Sequence, residues 1–149
     1  MSATTRTQPR DRGQTLFLAP IGFIIIIILG MATLEVASIH LSQRRLDDLA
    51  DSIASDAATA GFDTDTFRTN GTVAIDRNAA AAIVAPSIAI SNLPGASPAS
   101  VAVVNGAEPE VTVTLDFQHE YLFAGGLFGG DGKALSAVGN AALVRSDAP

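Results

Sequence analysis

The sequence predicts an α+β protein: a long N-terminal helix, transmembrane in its first half and amphipathic in its second, followed by a small antiparallel sheet packed with a helix. Three observations lead there. Gly13 to Leu34 contains no ionisable side chain, an apolar repeat at helical spacing continues from there to about Ala60, and the last third of the chain holds short runs that alternate apolar and polar residues.

The apolar run is rich in Ile, Leu, Phe, Ala and Gly, with five consecutive isoleucines at its centre. Its 22 residues, at about 1.5 Å each in a helix, cover about 33 Å, close to the ~30 Å hydrocarbon thickness of a bilayer. A soluble core helix is the competing reading, but a chain of this size has too little remaining mass to surround a helix that is apolar on every face. Arg6, Arg10 and Arg12 precede the run, whereas Glu35 closes it and the next basic residues are Arg44 and Arg45. This asymmetry predicts a cytoplasmic N-terminus and an exported remainder. A secretory signal peptide is the alternative, with Gly30-Met31-Ala32 offering a small-x-small site for cleavage after Ala32. The run is at the long end for such a peptide, and the helical pattern does not stop at the site.

Beyond Glu35 no Pro or Gly occurs until Gly61. Ile39, Leu46, Leu49 and Ile53 recur at helical intervals, while Arg44, Arg45, Asp47, Asp48 and Asp51 take other positions. One helix from near Thr15 to near Ala60 follows, with Pro20 in its first turns, where a missing N–H costs least. The expected divisions are a basic tail over 1–13, the long helix over 14–60 and an exported unit over 61–149.

In the exported unit, Gly61 to Gly71 reads as a loop, and Asp76 as the cap of a short helix from Arg77 to Ala85 closed by Pro86. Ser91 to Ser100 is rich in turn residues. Strands are expected at Ser100 to Val104, at Glu110 to Phe117 and at Ala134 to Arg145, the first two joined by the hairpin Asn105 to Pro109. In the second strand Val111, Val113, Leu115 and Phe117 alternate with Thr112, Thr114 and Asp116, which predicts a sheet with one polar face. Between the last two strands lies YLFAGGLFGGDGK. Tyr121, Phe123, Leu127 and Phe128 in this Gly-rich loop form either a lip that touches a partner or the membrane, or a cover folded back onto the core.

Little here points to catalysis. A net charge of −6 argues against nonspecific nucleic-acid binding, and the absence of cysteine removes disulfides, thiolate zinc sites and a thiol nucleophile. His40 and His119 have no metal-ligand spacing, and His119 and Glu120, adjacent on a strand, point to opposite faces. Asp63 and Asp65 begin a calcium-loop pattern that Phe67 breaks. The Gly132-Lys133 pair lacks the first glycine and the hydroxyl of a phosphate-binding loop. The expectation is a non-enzyme without metal, cofactor, nucleic acid or small-molecule substrate. Glu35 is expected among lipid headgroups or, if deeper, paired with a cation from a partner helix.

The arginine-bearing tail, Asp11-Arg12-Gly13-Gln14, the apolar helix with an acidic residue near its outer end, and Arg44-Arg45-Leu46-Asp47-Asp48-Leu49-Ala50-Asp51 together resemble the TadE/TadG-like proteins of tight-adherence (Flp) pilus systems. The resemblance covers roughly the first 60 residues. It implies a pilin-like fold and a single-pass protein of the bacterial inner membrane. Its function would be that of a pseudopilin or minor pilin, with other pilin-like subunits and assembly proteins as partners through the helix. It also implies prepilin cleavage between Gly13 and Gln14, although Leu18 stands where such prepilins usually carry Glu, and Pro20 comes earlier than the family's usual proline. Pro20, Gly22, Gly30 and Glu35 become candidates for helix packing or assembly. The alternative is an exported binding module released after signal-peptide cleavage.

Overall fold

The computed structural model describes residues 12–123, 125–126, 130 and 132–144. Its elements are α1 (Arg12–Ala60), α2 (Thr64–Asn70), α3 (Arg77–Ile90), β1 (Ala96–Val104), β2 (Glu110–His119) and β3 (Lys133–Ala142). The three strands form one antiparallel sheet in the order β1-β2-β3. The second half of α1 lies across β2 and β3, and α3 packs against α1 and β1.

The amphipathic pattern beyond Glu35 becomes the packing face of α1. Leu46, Ala50, Ile53, Ala54, Ala57 and Ala58 are buried, whereas Arg44, Arg45, Asp47, Asp48 and Asp51 are exposed. Opposite them Val111, Val113 and Leu115 of β2 and Leu135 and Ala137 of β3 complete the core, with Ile75, Ala80, Val84 and Leu93 closing its sides. Small residues bring the layers close. At Gly139 of β3, paired with Val113, a Cβ would fall inside the contact radius of the Ala50 carbonyl, so the sheet lies against the backbone of α1. At Gly61 a Cβ would meet Ile75, the Ala57 carbonyl and Ala80 within 3.0 Å, which lets the chain turn back beneath the helix end.

The first half of α1 behaves differently. Leu18, Phe23, Ile24, Ile26 and Leu29 are more than half exposed, and only 6% of the most apolar window is buried within the chain. This is not the core helix of a small soluble domain. It is long and apolar enough to cross a membrane, a property it shares with a signal sequence.

Several expected boundaries move. The long helix starts at Arg12, so Pro20 lies in its third turn and leaves the carbonyl of residue 16 without its usual intrahelical partner. Part of the expected loop between Gly61 and Gly71 is α2, because Asp63 caps it and Gly71, at φ 67°, accepts the left-handed position that ends it. Asp76 does cap α3, but the helix passes through Pro86 to Ile90. Pro86 is exposed, and so is Ala82, whose carbonyl loses the proline N–H and can turn to water. Strand β1 begins at Ala96 rather than Ser100, since an edge strand tolerates Pro98 and the bulge between Pro98 and Ser100 absorbs the irregularity. Strand β3 spans Lys133 to Ala142.

Candidate functional site

A ladder of contacts fixes how the sheet stands along α1. Gly139 lies against Ala50. Gln43 Nε2 donates to the Ser136 carbonyl at 3.0 Å, and Ser42 Oγ lies 3.0 Å from Nδ1 of His119. Strand β2 therefore descends toward the apolar half of α1 and β3 climbs back. The connection between them hangs at the level where the uncharged run ends.

Glu35 holds that connection. Its Oε1 accepts from the Leu122 amide at 3.1 Å and its Oε2 from the Phe123 amide at 2.8 Å. Two successive backbone N–H groups thus address the two oxygens of one carboxylate, an arrangement stronger than a neutral pair. Glu35 is 6% exposed, while its neighbours Leu34 and Val36 are 57% and 67% exposed, so it is the loop that buries it. A buried carboxyl requires such partners. The sequence placed Glu35 among headgroups or beside a partner helix's cation. Here it is enclosed by its own chain.

Tyr121 is half-buried, and its ring lies against Gly130, where a Cβ would stand 3.7 Å from it. Leu122 and Phe123 point outward at 60% and 41% exposure. Tyr121 is thus turned into the loop, and Leu122 and Phe123 are presented to the surroundings. Leu127 and Phe128 lie outside the described residues. The loop re-enters β3 through Gly132 at φ 145°, where the His119 carbonyl also leaves no room for a side chain.

His119 is buried, and Glu120 beside it is exposed. Among the described residues, the His119 Nε2 has no hydrogen-bond partner, whichever way the proton lies between Ser42 and Nδ1. His40 is exposed. It borders two open crevices along α1, one of about 340 Å³ shared with Ile39, Lys133 and Leu135, the other of about 620 Å³ lined by Leu29, Ala32 and Thr33.

The remaining expected sites scatter. Gly13 and Gln14 lie in the first turn of α1. A Cβ on Gly22 or Gly30 would meet nothing within 4 Å, so nothing among the described residues requires glycine there. Asp63 accepts from the amides of Asp65 and Thr66 and from the Thr66 hydroxyl as the cap of α2. The Thr66 hydroxyl, and after it the Thr66 amide, hold its carboxyl below the ordinary aspartate range. No group of three or more His, Asp or Glu side chains is placed to hold a metal among the described residues.

The sequence reading missed the Glu35 clamp, the Ser42–His119 pair and the Asn105 side chain, which brackets both backbone groups of Ile75 at 2.8 and 3.0 Å. Their partners are 87, 77 and 30 residues away. No local spacing encodes them.

Comparison with protein-family models, with curated proteins and with solved structures finds no match.

Proposed function

We propose that this chain is a membrane-anchored, non-catalytic component of a tight-adherence pilus or a related secretion apparatus, of the pseudopilin or minor-pilin kind. The carrying observation is the division of labour along α1. One uninterrupted helix exposes its apolar first half and uses its second half as the floor of the domain core. A subunit built this way is held by lipid before assembly and can transfer the same surface onto neighbouring helices afterwards. The N-terminus is cytoplasmic and the domain exported in this reading, the orientation that the arginines before the span favour. Gly22 and Gly30, whose Cβ positions are open among the described residues, are then available for close approach between molecules. Glu35 holds the β2–β3 connection within the chain, beside its candidate role in assembly.

Intact mass of the protein from separated membrane and secreted fractions tests the proposal. A membrane species retaining Met1 or Ser2 indicates a permanent anchor, and loss through Gly13 indicates a processed pilin. A soluble species beginning at Thr33 would replace the proposal with the released binding module. That second reading has one observation in its favour: the buried apolar core begins at Leu46, beyond the candidate cleavage site. Gly30→Ile separates insertion from packing, with unchanged membrane extraction and reduced pilus output expected.

A further inference from the structure

We infer that Leu122 and Phe123, where the chain leaves β2, form a second membrane contact, seated in the lipid interface at a depth set by Glu35. The inference rests on the reading of α1 as a span. Its starting point is direction. Side chains on a helix lean toward the N-terminus, so the Glu35 carboxylate lies over the turn that precedes it, on the apolar side of its own Cα. The amides of Leu122 and Phe123 sit 3.1 and 2.8 Å from that carboxylate. Whatever depth the end of the uncharged run takes in a bilayer, these two residues share it.

At that depth they carry exposed apolar side chains, 60% and 41% accessible, and among the described residues of the loop none belongs to the buried core. The residues around them are of the kinds that suit the boundary between headgroups and acyl chains. Tyr121 is amphipathic, while Glu120 and Lys133 contribute one charge of each sign, and His40 is exposed on the adjoining helix face. The charge that would resist this placement is that of Glu35, and it is already engaged by the two amides. The clamp therefore does two things at once: it satisfies a carboxylate at the edge of the hydrocarbon and it lowers an apolar lip to the same edge. Lipid is the occupant because the span itself brings it there. A second copy is the competing occupant, and dependence on protein density tells it from lipid.

The chain contains no tryptophan, so single substitutions serve as depth probes. The full chain is reconstituted in phosphatidylcholine–phosphatidylglycerol vesicles, with or without lipids brominated near the headgroup end of the acyl chain. The probes are Leu122→Trp, Leu29→Trp within the span and Val104→Trp at the opposite end of the sheet, all at exposed positions. Expected are blue-shifted, bromolipid-quenched emission for Leu122→Trp and Leu29→Trp, and water-like, unquenched emission for Val104→Trp. Adding Glu35→Ala is expected to reduce quenching at Leu122→Trp toward the Val104→Trp level and leave Leu29→Trp unchanged. Quenching at Leu29→Trp with none at Leu122→Trp overturns the loop contact while sparing the span. Absence of quenching at Leu29→Trp overturns the span and the inference together. A blue shift at Leu122→Trp that ignores bromolipid and grows with protein density overturns it in favour of a second copy. Quenching at Leu122→Trp that survives Glu35→Ala overturns the role of the clamp.

Discussion

Gly139→Ala adds one methyl group at the point where the sheet meets α1. The new Cβ would lie inside the contact radius of the carbonyl carbon and oxygen of Ala50, and both are backbone atoms that no rotamer change can move. Contact between carbon and backbone is comfortable near ~3.5 Å, so helix and sheet must separate by about 1 Å. A gap of that size forfeits roughly a quarter to a half of the dispersion energy of the atoms facing it. The atoms affected are those of Leu46, Ile53 and Ala54 on one side and Val113, Leu115 and Ala137 on the other, all buried. The cost belongs at the upper end of overpacking, about 3 kcal/mol. For a folded unit of about 100 residues this corresponds to a fall in Tm of roughly 12–24 °C. Two further glycines separate space from backbone conformation. Gly71→Ala meets nothing within 4 Å but must hold φ 67°, which costs about 1 kcal/mol. Gly106→Ala meets nothing and has no positive φ, and stays within about 0.5 kcal/mol of the parent. Thermal unfolding of the full chain in micelles, followed through the β-sheet amide band, ranks the three. Equal Tm values for Gly139→Ala and Gly106→Ala would refute the close backbone approach.

Asn105→Ala removes both partners of Ile75, a residue 3% exposed, and is expected to cost about 1–3 kcal/mol, seen as amide exchange at Ile75 that accelerates more than at Val113. Ser42→Ala deprives the buried His119 of its Nδ1 partner and is expected to lower Tm, while adding His119→Leu removes the remaining unsatisfied nitrogen and recovers the loss; a double variant as unstable as the single one would contradict this. Because the folded-state pKa of Asp63 is depressed, its contribution to α2 is complete above the ordinary aspartate range and disappears as pH falls through the depressed value. Thr66→Ala removes the first cause of that depression, so a carboxyl-carbon NMR titration should show the Asp63 midpoint moving up toward 3.8.

The elements that the sequence made legible are those with local causes. The period of Leu46, Leu49 and Ile53 indicates the packing face of α1, the alternation from Val111 to Leu115 indicates the inner face of β2, and Asp76 marks the start of α3. Proline misleads where it is exposed. Pro86 signals a helix end and Pro98 falls in a turn-rich segment, yet a helix carbonyl that can face water and an edge strand accommodate them. The candidate site was legible only in fragments. Glu35 and the residues from Tyr121 to Phe123 each stood out, Glu35 as a charge at the end of an apolar run and the others as apolar residues in a Gly-rich loop. Their juxtaposition arises from the descent of β2 along α1, which is a property of the tertiary path and leaves no mark in either segment alone.

The absence of any break in α1 between Glu35 and Leu46 makes the helix a keyed shaft. Each residue advances it by about 100°, so the azimuth of the apolar half and the azimuth of the sheet are locked together. A torque applied to the apolar end reaches the sheet with no break in the helix to take it up. One residue inserted between Glu35 and Ser42 would swing the carboxylate about 100° away from the loop it holds, whereas seven would return it to within about 20°. The spacing from Glu35 to Ser42 is itself seven residues, two turns of one shaft, with the loop fastened at the first and β2 at the second.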